Sequence, residues 1–147
     1  MKPLRAALFY SLFVVLLGFQ TVTVRAADYE GLKVTLLKKS TAASNGQPLA
    51  YPKTDSPEVT ALIVEIPPGA ETGWHYHPYP VYAYMMAGTL TVEMEGGEKY
   101  TFHEGDVIFE VLNTGHNGRN TGTVPARLLV FYTGEKDKPT TVKGNPK

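Results

Sequence analysis

Beyond residue 57, apolar and polar residues alternate repeatedly at period two, and no segment carries a convincing 3.6-residue apolar period. Successive side chains of a strand face opposite sides of a sheet, so this pattern predicts half-buried strands rather than helices. Thr60–Ile66 (TALIVEI) reads as a strand that stops at Pro67-Pro68-Gly69, two residues that cannot donate to a ladder and one that turns it. Val81–Met86 is strand-like, with Ala87-Gly88 as its punctuation. Thr89–Met94 alternates strictly, Glu95-Gly96-Gly97-Glu98 makes a hairpin turn, and Lys99–Phe102 returns from it. Val107–Leu112 and the β-former-rich Ala126–Thr133 are further strands, and Val34–Leu37 is expected to open the domain. Seven or more short strands, punctuated by Gly and Pro within about 100 residues, describe an all-β sandwich or barrel.

The beginning of the chain reads differently. Lys2 and Arg5 precede an uncharged, almost wholly apolar run from Ala6 to Phe19. A run of that length suits the core of a signal peptide and falls short of the roughly 20 residues a bilayer span needs. Cleavage after Ala26 puts Val24 three places before the cut, whereas cleavage after Ala27 would put Arg25 there, so the first cut is expected. The alternative is an uncleaved membrane anchor. The expected organisation is a signal peptide at 1–26, an N-terminal strand and polar connection at 27–57, a barrel core at 58–133 and a flexible tail at 134–147. The protein would be exported, periplasmic or secreted, with no stable membrane anchor after cleavage.

A chain of 147 residues and 16.1 kDa fits one domain. Lys plus Arg equals Asp plus Glu at 14 each, and losing Lys2, Arg5 and Arg25 with the leader leaves a net charge of −3. No basic excess exists to displace counterions from phosphates, so a nucleic-acid partner is not expected. The chain has no cysteine, which excludes disulfides, thiolate nucleophiles, Cys-ligated zinc and iron–sulfur clusters. Stability must come from the core, with help from a metal or a second subunit.

Candidate chemistry concentrates in Gly69–Gly88 (GAETGWHYHPYPVYAYMMAG) and Gly105–Asn120 (GDVIFEVLNTGHNGRN). His75 and His77 are two apart, so in an extended strand both imidazoles project from one face. His116 follows far enough along for intervening strands to carry a third imidazole round to the same place. Neutral imidazole is the commonest protein metal ligand, and His75, His77 and His116 are the candidate ligands of a divalent ion, Fe, Mn, Ni or Zn. Three imidazoles on one side of an ion leave the other side open to water or a small-molecule ligand.

These two stretches resemble the paired motifs of the cupin superfamily. Gly69, His75, His77 and Gly88 fit the first motif, and Gly105, His116 and Asn120 fit the second. The resemblance implies a cupin-type double-stranded β-barrel, jelly-roll-like, of two facing antiparallel sheets with a metal held inside by the motif histidines. It also implies pairing through an edge strand, so a homodimer is expected. The chain departs from the family where Val81 occupies the usual carboxylate position, and where Val111 and Asn113 replace the Pro and Gly of the second motif. Tyr82, one residue further on, should face away from the site by strand alternation. A set of neutral ligands would leave the ion its full charge and an extra open position.

Trp74 and the alternate positions Val81, Ala83 and Met85 are candidate pocket residues. The tyrosines nearby, Tyr76, Tyr79, Tyr82 and Tyr84, could wall that pocket or simply pack the sheet, as aromatics in strands do. Met85 and Met86 are expected as core filler. Glu110, a strand carboxylate near His116, is the candidate acid/base group or a hydrogen-bonding partner of the ligand histidines, while His103 matches no ligand position. Asn120 is expected to fix a turn through backbone hydrogen bonds. No serine or cysteine nucleophile is visibly partnered with the imidazoles, so hydrolytic triad chemistry has no support. Three readings stay open, the first two being a metal-dependent enzyme, dioxygenase- or isomerase-like, acting on a small oxygen-containing molecule, and a non-catalytic cupin that binds a metal or small ligand. A structural module carrying remnant histidines is the third.

Overall fold

The alternating segments become strands in the computed structural model, which describes residues 31–147; the expected leader at 1–26 lies outside the described residues. Thr35–Lys147 form one compact unit. Nine strands appear among the described residues: β1 (Pro57–Ile66), β2 (His75–Tyr76), β3 (Val81–Ala87), β4 (Thr89–Met94), β5 (Lys99–His103), β6 (Val107–Phe109), β7 (His116–Asn120), β8 (Ala126–Glu135) and β9 (Val142–Lys143). One sheet has the order β1-β8-β3-β6 and the other β5-β4-β7-β2-β9, all with antiparallel neighbours. This is the all-β architecture of two antiparallel sheets that the sequence led us to expect.

Alternation places the core between the sheets. Val81, Ala83 and Met85 of β3 and Leu128 and Val130 of β8 are buried with Leu90, Val92 and Met94 of β4. Each large apolar side chain buried there contributes roughly 1.5–3 kcal/mol relative to exposure. The β3–β8 register shifts between Met85 and Ala87, a bulge that leaves Met86 unpaired. Met85 is therefore fully buried whereas Met86 is exposed, which corrects the expectation that both fill the core.

Three other expectations change. Val34–Leu37 forms no strand, and Leu36 and Leu37 are exposed. The strand expected to run to Leu112 ends at Phe109, after which Leu112 bridges His77 in parallel. The segment 134–147, expected as a loose tail, instead completes β8 and supplies β9, which pairs with β2 through His75–Lys143 and Tyr76–Val142.

Gly88 joins β3 to β4 with φ 79°, and a Cβ there would lie 2.6 Å from the Pro125 carbonyl oxygen. Both the left-handed backbone and the contact with fixed main chain oppose any side chain. Gly88→Ala should destabilise the protein by at least about 2 kcal/mol, measured by denaturant unfolding.

Candidate metal centre

Register within one sheet, between β2 and β7, brings the motif histidines together. His75 of β2 pairs directly with His116 of β7, and their ring centroids are 4.4 Å apart. Directly opposed residues of an antiparallel pair share a face, so both rings enter the space between the sheets. β2 ends at Tyr76, yet the chain stays extended through His77, whose ring lies 4.9 Å from that of His75 and 5.1 Å from that of His116. His77 is fixed by its neighbours on the β6–β7 connection, where Asn113 N–H donates to its carbonyl at 2.9 Å. Asn113 adopts φ 49°, and Asn tolerates this left-handed backbone better than other residues with a Cβ. That explains how it stands where the family motif has Gly.

Each ring is oriented by a backbone carbonyl. Nδ1 of His75 bonds to Gly73 O at 2.8 Å, Nδ1 of His77 to Thr140 O at 2.8 Å, and Nδ1 of His116 to Thr114 O at 2.9 Å. A carbonyl oxygen only accepts, so Nδ1 carries the hydrogen in all three rings and Nε2 is the free position of each neutral imidazole. One nitrogen from each ring lies within 4.8 Å of the other two. Nitrogens about 2.1 Å from a shared ion lie at most about 4.2 Å apart, so little movement is needed for the three to share one.

Glu110 closes the cluster from the opposite sheet. Its Oε2 lies 3.1 Å from His77 Nε2 and 3.3 Å from His116 Nε2. The second approach lacks hydrogen-bond alignment, and His116 Nε2 is a buried polar atom with no hydrogen-bond partner. A buried carboxylate facing imidazole lone pairs is stable only around positive charge, either a shared proton or a metal ion. The donor set therefore fits a divalent cation.

Charge states follow from the same geometry. Burial opposes ionisation of Glu110, but the imidazoles of His116 and His77 outweigh it and hold the carboxyl well below the usual carboxylate range. Burial likewise opposes charge on His77, yet the Glu110 carboxylate and the Thr140 carbonyl raise its pKa above the ordinary imidazole value. His75 moves the other way, lowered by burial and by the neighbouring His116 and His77 against the pull of the Gly73 carbonyl.

The histidines border a cavity of about 70 Å³ between the sheets, with Thr72, Glu110 and Tyr132 among its polar residues and Val64, Leu90, Val92, Met94 and Val130 in its apolar wall. The expected pocket residues do not line it. Val81, Ala83 and Met85 share the interior face but are consumed by close packing in the core, and Trp74 is exposed. Tyr76, Tyr79, Tyr82 and Tyr84 are also absent from the lining; Tyr82 packs edge-on against Phe109 instead, facing away from the site as alternation requires. The aromatic that meets the histidines is Tyr132, 5.6 Å from the His77 ring. The run Leu128, Val130, Tyr132 in β8 carried that signal, because Tyr132 shares its face with two core residues. Nothing in the sequence pattern marked Thr140. Asn120 is structural, donating to Ile66 O and Val124 O and accepting from Gly122 N–H.

Comparison with known proteins agrees with this architecture. The family model described as "Cupin domain" matches residues 62–132. The tetracenomycin polyketide synthase protein TcmJ of Streptomyces glaucescens is 33% identical over 67 residues, which are 45% of this chain and 44% of that protein. The DMSP lyase DddQ of Ruegeria pomeroyi DSS-3 is similar in structure with TM-score 0.52 and 28% identity, covering 69% of this chain and 48% of that one. The oxalate decarboxylase of Lactobacillus farciminis, in a formate complex, aligns with TM-score 0.48 and 27% identity over 58% of this chain and 26% of its own. The chain thus spans less than half the length of each of these relatives.

Metal must compete with the proton that Glu110 holds on His77. A raised pKa keeps that proton bound to higher pH, so apparent metal affinity should climb with pH through and above the ordinary imidazole range. Metal uptake should release protons in that window, measurable by calorimetry in buffers of different ionisation enthalpy. Glu110→Gln should move the window to lower pH.

Proposed function

The chain belongs to the cupin superfamily, its cupin domain covering residues 62–132, and from that premise we propose that it is an exported metal-dependent enzyme acting on a small oxygen-containing molecule. The observation that carries this reading is the convergence of His75, His77 and His116, each turned by a backbone carbonyl so that its second nitrogen faces one buried point. A divalent Fe, Mn, Ni or Zn ion bound there supplies Lewis acidity and, for the redox metals, oxygen chemistry.

The protein's own residues set what can reach that point. About 70 Å³ of space is far below the roughly 300–1,000 Å³ of a site for a drug-sized ligand, so the substrate is limited to a few heavy atoms. Leu90, Val92, Met94 and Val130 form an apolar wall that lowers the local polarity and strengthens charge interactions beside it. Tyr132, whose ring stands 5.6 Å from that of His77, carries a hydroxyl able to orient the oxygens of such a molecule, whereas the Thr72 hydroxyl is taken up by Gly73 O and Gly118 N–H. A partly open cavity at the metal point gives a small molecule access to the histidines, which favours turnover over simple metal storage, and the similar DddQ is itself named a lyase. Elimination or isomerisation needs only a Lewis-acidic ion, whereas oxygenation needs a redox-active one, so zinc in the site would rule out oxygenation.

Elemental analysis of protein taken from its natural compartment, without added metal, should find close to one such ion per chain. The same sample should have an intact mass beginning at Ala27. His75→Ala and His116→Ala should each weaken metal binding by at least about 10–100-fold. Full metal retention by both variants would refute the site. Metal binding without turnover across a panel of small carboxylates, polyols and phenols would leave the non-catalytic cupin as the reading.

We also propose a homodimer built on the outer face of β1 and β8. Val59, Ile63 and Phe131 are 63%, 53% and 41% exposed, and the pairing of Ala61 with Phe131 puts all three on one face. Sedimentation should give a dimer that Ile63→Asp converts to monomer. A monomeric unaltered protein would overturn this assembly.

A further inference from the structure

Glu110 lies in a position that the acid/base expectation does not explain. It comes one step beyond the last pair of the β3–β6 ladder, Tyr82 with Phe109, and its backbone N–H donates to Val81 O at 3.0 Å. Glu110 therefore sits directly across from Val81, and cross-strand partners point to the same face. Val81 is buried on the interior face, so the Glu110 side chain enters the interior as well. Its Oε2 reaches two of the three Nε2 atoms, at 3.1 and 3.3 Å. Donors about 2.1 Å from one ion and at right angles to each other are about 3.0 Å apart, close to both distances.

We propose that Glu110 is the fourth protein ligand of the metal, so that the carboxylate absent at Val81 is supplied from the neighbouring strand. This inference rests on the three-histidine reading and deepens it. A carboxylate ligand reduces the formal charge of a bound divalent ion from +2 to +1, replacing the all-neutral donor set that the Val81 departure implied. It also occupies one of the positions that three histidines alone would leave open, so substrate enters opposite a His₃Glu set rather than a His₃ set. With both His77 and His116 contacting the same oxygen, Glu110 binds through Oε2, and its other oxygen remains for a hydrogen bond to a ligand.

Cobalt(II) tests this without any assay of turnover, because its visible d–d absorption reports the donor set directly. The unaltered protein, Glu110→Gln and Glu110→Asp are titrated with Co(II) alone, with circular dichroism as the check on folding. The expected result is a changed d–d spectrum in both variants, with affinity reduced by more than the roughly 10–100-fold that loss of an outer partner costs. The Asp variant keeps the charge but draws the oxygen back, so it provides the answer if Glu110→Gln does not fold. Glu110→Val combined with Val81→Glu should recover binding by returning the carboxylate across the ladder. An unchanged Co(II) spectrum in folded Glu110→Gln or Glu110→Asp overturns the proposal, whatever the affinity. Failure of the unaltered protein to take up Co(II) would instead bring down the three-histidine site itself, and this inference with it.

Discussion

Three short hydrogen bonds from imidazole Nδ1 to main-chain carbonyls are the constraint on which the site depends. Side-chain packing could hold the rings in place, but only an acceptor at Nδ1 fixes which nitrogen keeps its lone pair. The carbonyls of Gly73, Thr114 and Thr140 belong to three separate stretches of backbone. Gly73 and Thr114 each lie two residues before the histidine they orient, so those two rings are set by local chain conformation. Thr140 lies 63 residues beyond His77, so that ring is set by the tertiary fold. The histidine in closest contact with Glu110 is thus the one whose orientation depends on the chain's last segment.

That dependence explains why a two-residue strand near the C-terminus matters. β9 pairs with both residues of β2, and Gly144 N–H donates to Trp74 O at 2.8 Å, so the final segment is stitched along the strand that carries His75. Without this edge, β2 would have a partner only at His116. A ladder of one pair gives little resistance to fraying, and fraying would let both motif histidines drift. The last segment therefore supports the site twice, once through the sheet and once through Thr140.

Much of the fold was legible because alternation is a local property. Thr89–Met94 reads as a strand in any context, β1 and β3 were found from the same kind of local pattern, β5 from the hairpin turn before it and β8 from its β-forming residues. The histidine trio was legible from a two-residue spacing and from the resemblance of its surroundings to a family motif. What escaped had no local signature. Val142–Lys143 lies among Pro, Gly and charge, and only its partner β2 makes it a strand. The pocket residues were misplaced for a subtler reason. Parity correctly sends Val81, Ala83 and Met85 inward, but the interior holds both a packed core and a cavity, and alternation does not distinguish them. Val34–Leu37 failed in the opposite way, having strand-like composition and no strand formed upon it.

Glu110 shows how a sheet can carry the same chemistry on different strands. A ligand set is defined by points in space, and an antiparallel ladder provides two backbone positions for each inward-facing point, one on either strand. Val81 and Glu110 are such a pair, joined by a main-chain hydrogen bond. Exchanging a carboxylate between them changes the direction of its approach but not the face it enters. The cost is that Val81 must be apolar, since two carboxylates sharing that space would repel each other in a low-dielectric interior. The valine in the motif is then the partner of the displaced acid, buried in the core directly across the ladder from it. A motif read along one strand records a lost ligand, whereas the sheet read across its strands keeps the negative charge beside the same three imidazoles.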